Sequence, residues 1–411
     1  MKKKLFILNT FYPFSRQEDF LANEMKFITG FDEVIVFPNS ISEPKPKQLY
    51  NCPESVSFVV NKLSYKKTII RNILCCLFDK SFYSEICFLL KNKRFSFARL
   101  GRLISFMLYS ENSYLTVKNY LQENCLEDDV TIYSYWLHTS AFVACKIKTK
   151  FPNVKFAVSR CHRFDLYEYA NELNYIPQRE FILSNIDEVY SISDDGLNYL
   201  TEKFPNYKEK IKVSRLGTFD KGISVKTHDN VLRIVSCSWM RKVKRVHRIF
   251  ESIKDTVYPI EWTHFGDGET FSEIKSLVES NNNTNLKVQL AGSTNNKEVI
   301  EAFLNNNYDV FVNVSENEGI PVSIMEAMSC GLIPVATDVG GTRELVINDF
   351  NGFLLPANFE NSELQYIFEK IYCMSDDEKL SLRQSARDYW LAYFNAEKNY
   401  PLFFDHLSSS G

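Results

Sequence analysis

No cysteine pair in this sequence has metal-ligand spacing. Its ten cysteines stand singly apart from Cys75 and Cys76, and its six histidines do not cluster. This excludes a zinc site or a disulfide framework and leaves reduced thiols of the cytoplasmic kind. Also missing is any apolar run near the roughly 18 residues that a membrane span requires. The opening MKKKLFILNTFYPF has a basic head, but its apolar run before Asn9 is too short for a signal-peptide core. Strong charge of either sign is absent too: the formal net charge is −3, with 45% hydrophobic and 24% charged residues, the balance of a soluble protein.

What is present begins with length. A chain of 411 residues is too long for one ordinary core and suits two domains of about 200 residues each. Aromatic residues reach 14%, with 33 Phe and 22 Tyr, which serves either core packing or a surface that stacks on sugars or touches a membrane. The most informative stretch is Asn313 to Gly352. An apolar run ending at Val312 reads as a strand, Ser315 to Gly319 as the loop leaving its carboxyl end, and Val322 to Cys330 as a short helix. Pro321 is expected at the first helical position and Gly331 just past the end. Glu318 then lies at the positive end of that helix, with Glu326 on its polar face beside Ser323, Ser329 and Cys330. That face is either solvated or part of a site for a polyhydroxylated anion. Ile333 to Ala336 reads as a strand, Gly340 and Gly341 as a turn that lets backbone approach a ligand, and Thr342 as the cap of a helix from Arg343.

From the amino end, Leu5 to Leu8 reads as a buried strand followed by a loop from Asn9 to Asp19 and a helical pattern at Phe20, Ala22 and Phe27. Glu33 to Phe37, Thr131 to Tyr135, Lys155 to Ser159, Glu188 to Ile192 and Ile211 to Leu216 read as further strands. Gly217 to Asn230 breaks all periodicity and reads as the linker. A second series opens with Leu232 to Cys237, then Ile260 to Phe265 before Gly266-Asp267-Gly268, then Leu286 to Leu290 before Ala291-Gly292-Ser293. Between Lys62 and Arg102, ten Lys or Arg stand against two acids, a local excess of +8. Phe, Leu, Ile and Tyr interleave with them at helical spacing, as in helices on an anionic membrane surface or in an ordinary amphipathic pair with solvated charges. No nucleic-acid-binding motif accompanies the patch, so no nucleic-acid partner is expected.

Ser315-x-x-Glu318-Gly319-x-Pro321 with Glu326 eight positions after Glu318, then Ala327-Met328-x-x-Gly331 and Gly340-Gly341-x-x-Glu344, resembles the E-x7-E signature of family 4 retaining glycosyltransferases. The resemblance implies an α/β chain of GT-B fold, two Rossmann-like domains with parallel sheets facing across a cleft. The expected division is 1–216 as the acceptor-side domain, 217–385 as the nucleotide-sugar-binding domain, and 386–411 as a helical tail that crosses back through Trp390, Tyr393 and Phe394. The implied activity is retaining, metal-independent transfer of a sugar from a nucleotide-diphosphate sugar to a growing, lipid-linked glycan in polysaccharide, O-antigen or capsule assembly. No obligatory cofactor is implied, and the chain has no D-x-D triplet. Contact with the inner face of an anionic membrane through 62–102 is expected. The alternatives are a same-fold sugar-nucleotide epimerase or phosphorylase and a catalytically silent nucleotide-sugar-binding subunit.

Carried over residue by residue, the resemblance gives Glu326 the ribose hydroxyls and Glu318 the hydroxyls of the transferred sugar. The backbone at Gly319, Ile320, Pro321 and Val322 orients that sugar, and Gly292 and Ser293 lie against the base. Lys244 matches the cation that meets the diphosphate, while the arginine position two residues after Cys237 holds Trp239. Arg241, Lys242 or Arg245 is then the second cation, each with a solvated charge as the other reading. His162, followed by Asp165 and Tyr167, resembles the histidine that contacts the donor sugar, or else ties down its own loop. After the first strand, Tyr12-Pro13-Phe14-Ser15-Arg16-Gln17-Glu18 stands where the family has a glycine-rich loop. There Glu18, Phe20 and Asn23-Glu24 resemble a variant of polysaccharide-assembling members.

Overall fold

The computed structural model describes residues 2–15, 18–53, 55–62, 64–225 and 229–411. Arg16 and Gln17 of the first loop and residues 226–228 of the expected linker lie outside them. The chain divides into two compact units, Met1–Arg215 with Lys398–Gly411, and Leu216–Glu397.

The first unit is built on β1 (Lys3–Asn9), β2 (Glu33–Pro38), β3 (Val56–Phe58), β4 (Asp129–Ser134), β5 (Val154–Cys161), β6 (Glu188–Ser191) and β7 (Ile211–Val213). They form one sheet in the order β3-β2-β1-β4-β5-β6-β7, and each pairing is parallel. Parallel strands are covered on both faces, which is why Leu5, Phe6, Ile7 and Leu8 are all apolar in succession and all fully buried. Helices Tyr65–Leu77, Lys80–Lys91 and Phe97–Asn124 connect β3 to β4 and hold the basic stretch. Phe403, Phe404 and Leu407 of the last helix share a core with Leu5, Ile7 and Tyr133.

The second unit carries β8 (Leu232–Cys237), β9 (Ile260–Phe265), β10 (Leu286–Gly292), β11 (Val310–Asn313), β12 (Ile333–Thr337) and β13 (Phe353–Leu355). Their order is β10-β9-β8-β11-β12-β13, again parallel throughout. Its core gathers Ile234, Trp262, Val310, Val312, Ile333 and Val335 from the strands with Ile249, Phe250 and Phe368 from the helices.

Three local expectations are displaced. Pro321 is the N-cap, with extended backbone, and the helix spans Val322–Ser329. Thr342 lies inside a short 3-10 turn, Gly340–Glu344, whose N-cap is Val339, because the glycine pair itself coils. Of the expected linker, residues 217–225 are stitched to the second unit. There Thr218 bridges Asn395, Asp220 pairs with Arg387 at 2.6 Å and the Ser224 amide donates to Cys330 O at 3.0 Å. Trp390 donates its indole N–H to Thr218 Oγ1 at 2.8 Å.

Candidate functional site

In an open parallel sheet the carboxyl ends of the strands leave a crevice where the strand order reverses, and ligands bind there. In the second unit that point lies between β8 and β11. The loop leaving β8 carries Lys244 and the loop leaving β11 carries Glu318, and the Lys244 ammonium donates to Glu318 Oε1 at 2.6 Å. Both side chains are largely covered, at 24% and 12% exposure. Asn313 at the end of β11 adds its amide to the same Glu318 oxygen at 3.2 Å, while its Oδ1 accepts from the Ser315 amide at 3.1 Å and hydroxyl at 2.6 Å.

Neighbouring backbone fixes these loops. The Glu316 amide donates to Val243 O at 2.8 Å and the Gly341 amide to Gly319 O at 2.7 Å. Arg245, in left-handed backbone with φ +50°, turns its guanidinium inward to the carbonyls of Val314 (2.7 Å), Ser315 (3.2 Å) and Ala357 (2.7 Å). Its positive charge therefore braces the Glu318 loop. Arg241 is exposed, and Lys242 gives its backbone N–H to Glu269 at 3.0 Å. The close approach expected at Gly340 and Gly341 is to protein: a Cβ on Gly340 would stand 2.1 Å from Glu318 O, and one on Gly341 2.8 Å from Gly319 O. Both glycines let the β12 corner press against the β11 corner.

Helix Val322–Ser329 has no side-chain cap, since its N-cap is Pro321. The first amides of this helix, beside Glu318, are thus available to a negative group, and its dipole favours one. Along the helix Glu326 is half-buried, and the face it shares is not solvated: Ser329 and Cys330 are buried. Asn296 donates to Glu326 Oε1 at 2.8 Å. Burial lifts this carboxyl to about 7, against the lesser opposing effects of Asn296 and the charge of Lys221. Cys237, at the end of β8, is pushed up to about 12 by burial and by Glu326.

Gly292 closes β10 with φ +72° and open space where a Cβ would stand, and Ser293 beyond it is exposed. Their loop leads through the N-cap Asn295 to Asn296, which joins it to Glu326. Sequence reasoning missed Asn296, Asn313 and Lys221. Asn295 before the helical run 296–305 was the available signal for the first, since it marks a helix start at the sheet's carboxyl edge. Lys221 acts on Glu326, far along the chain, and left none; Asn313 acts on Glu318 and Ser315 close by, but a strand-end Asn carries no pattern that marks it.

His162 belongs to the first unit, just past β5. Its backbone N–H donates to Asp165 Oδ1 at 2.7 Å, so the loop is tied by the backbone and not by the imidazole. Both ring nitrogens are buried with no hydrogen-bond partner. The ring packs against Tyr135 and Trp136, with centroids 4.8 and 4.5 Å away. Burial, with Arg160 nearby, drives its pKa down to about 3, so the imidazole is neutral. Among the described residues no three His, Cys, Asp or Glu side chains gather as a metal site. Among the described residues all ten cysteines are free, and no helix is long and apolar enough to cross a membrane.

Residues 223–388 match the family described as glycosyl transferases group 1. The chain is 28% identical over 243 residues to N,N'-diacetylbacillosaminyl-diphospho-undecaprenol alpha-1,3-N-acetylgalactosaminyltransferase of Campylobacter jejuni, covering 57% of this chain and 60% of that one. It is 30% identical over 209 residues to the putative colanic acid biosynthesis glycosyltransferase WcaL of Escherichia coli, covering 48% and 50%. The chain thus spans half to three-fifths of the length of these relatives. Among solved structures, the lipopolysaccharide outer core galactosyltransferase WaaB superposes with TM-score 0.69 at 14% identity, over 99% of both chains. Anabaena HepE in complex with UDP and glucose does so with TM-score 0.62 at 17% identity, over the whole of both. Residues 223–388 of this chain are a glycosyl transferases group 1 domain, and the chain has the GT-B fold.

Proposed function

We propose that this protein transfers a glycosyl group from a nucleoside diphosphate sugar to a glycan or lipid-linked acceptor, with retention of anomeric configuration and without an obligatory metal. The observation that carries the reading is the Lys244 and Glu318 pair at the switch point of the second sheet, at the head of an uncapped helix that also carries Glu326. Breaking the bond between an anomeric carbon and a diphosphate builds negative charge on the leaving group and positive charge on the sugar. Lys244 and the first amides of helix 322–329 supply the positive field for the former. Glu318, beside Lys244, meets the hydroxyls of the sugar, and Glu326, with two oxygens and one amide partner, accepts from a pair of ribose hydroxyls. Gly292 and Ser293 border the base. By the resemblance, His162, neutral and with both ring nitrogens unpartnered, is the imidazole that meets the transferred sugar. The names of the relatives, with diphospho-undecaprenol and colanic acid in them, support a lipid-linked or polysaccharide acceptor. Incubation with a panel of nucleoside diphosphate sugars and a lipid-linked saccharide tests this, with nucleotide release and the product anomer read by NMR. The product is expected to keep the donor's anomeric configuration; inversion, or no transfer from any donor, rejects the reading.

A second reading concerns location. Ile70, Phe78 and Phe97 are 75%, 86% and 85% exposed within the basic stretch 62–102, where Lys66, Lys67 and Lys80 are also exposed. We propose that this surface docks on an anionic bilayer, where each cation contributes about 1 kcal/mol. Arg94 is spent on Glu168 at 2.5 Å, so the test changes Lys66, Lys67 and Lys80 to Glu. Sedimentation with phosphatidylserine vesicles should fall in the variant and in high salt; equal sedimentation of wild type and variant removes the proposal.

A further inference from the structure

The first sheet also reverses its strand order, between β1 and β4, and there the crevice is filled from within. Glu18 is buried, at 2% exposure, and accepts five hydrogen bonds. The amides of Thr10, Phe11 and Tyr12 approach at 2.9, 2.7 and 2.7 Å, the Asn9 side chain at 2.8 Å and the Trp136 indole N–H at 2.5 Å. Among the described residues no Lys, Arg or His pairs with it. A carboxylate enclosed by successive backbone N–H groups occupies the kind of nest that otherwise binds an anionic ligand. Glu18 thus joins the ends of β1 and β4. Trp136, which it holds from the β4 side, lies 4.5 Å from the ring of His162 at the end of β5 and 4.8 Å from Phe164. Because neither His162 nitrogen has a hydrogen-bond partner, ring packing alone orients the imidazole. Trp136 is the nearer of the two rings that fix His162, with Tyr135 at 4.8 Å.

We propose that Glu18 is a positioning residue for glycosyl transfer: through the Trp136 indole it holds His162 in the orientation that meets the sugar. This rests on the reading of His162 given above. A loop held by Glu18 with no consequence for His162 is the competing outcome, and the two differ in what Trp136→Phe does. That variant keeps a ring against His162 and leaves Glu18 on the three loop amides, but removes the N–H that anchors the ring.

The test compares wild type, Glu18→Gln, Trp136→Phe and the double variant by acceptor-dependent turnover, nucleoside diphosphate affinity and the NMR titration of His162. Misplacing a contacting group by about 1 Å costs on the order of a hundredfold. Both single variants should therefore lose roughly ten- to hundredfold in kcat, with nucleotide affinity within about twofold of wild type. The double variant should be no worse than the poorer single, since both break one link. The His162 midpoint should rise from about 3 toward the ordinary value of about 6.5 as the ring loosens. If Glu18→Gln does not fold, Trp136→Phe carries the test alone. Wild-type kcat and an unmoved His162 titration in Trp136→Phe overturn the proposal. Wild-type kcat in His162→Ala defeats the reading of His162 itself, a result distinguishable from a failure at Glu18.

Discussion

Lowering the pH from 8 to 6 should weaken nucleoside diphosphate binding through a single carboxyl. Burial holds Glu326 at about 7, with the Asn296 amide and the Lys221 charge only partly offsetting it. A pair of ribose hydroxyls donates to the ionised form, so binding selects that form and apparent affinity scales with its population. That population is about nine-tenths at pH 8 and about one-tenth at pH 6, which makes the dissociation constant about tenfold larger at pH 6. Calorimetric titration with nucleoside diphosphates across this range measures the slope. Phosphate groups titrate near pH 6 themselves, so the decisive quantity is the difference between wild type and Glu326→Gln, whose slope should lack the Glu326 contribution. Identical slopes in the two proteins refute the assignment of Glu326 to the ligand.

The same carboxyl fixes a stability trend. Its folded-state pKa lies above its unfolded value, so its contribution is fully present below about pH 4.5 and lost as pH rises through about 7; Glu326→Gln should therefore raise Tm more at pH 8 than at pH 5. Gly340→Ala meets both φ +52° and a Cβ 2.1 Å from Glu318 O. The left-handed backbone alone costs about 1–2 kcal/mol, a Tm loss of several degrees by calorimetry, and displacement of Glu318 should depress turnover beyond it. Arg245→Ala strips the charged donors from three carbonyls and should cost about 3 kcal/mol or more in denaturant unfolding, whereas exposed Arg241→Ala should stay within about 0.5 kcal/mol.

Much of this architecture was readable because buried parallel strands are nearly continuous apolar runs. Leu232–Cys237 and Ile260–Phe265 have the expected bounds, and the other foreseen strands differ by at most three residues at an end. The Glu318 to Glu326 spacing was legible as a loop and helix, and so was the pairing of its corner with the β12 corner. Harder to read were features decided by partners far along the chain. Whether Arg245 faces a ligand or three carbonyls depends on residues 69 to 112 positions away, and no local pattern encodes that. Glu18 looked like one residue of a motif; its five donors come from residues 9–12 and from Trp136, 118 positions on. Glu326 was ambiguous because helical periodicity sorts faces by polarity, and Ser329 and Cys330 are small polar residues that pack inside.

The most direct measurement of the central claim is nucleotide release from nucleoside diphosphate sugars by wild type, Lys244→Ala and Arg241→Ala under identical conditions. Loss of a charge-assisted contact to the leaving diphosphate is about 1.5–3 kcal/mol, so Lys244→Ala should release nucleotide roughly ten- to 150-fold more slowly while Arg241→Ala stays close to wild type. Release by Lys244→Ala at the wild-type rate, or a larger loss in Arg241→Ala, would contradict the placement of the diphosphate at the β8 and β11 switch point.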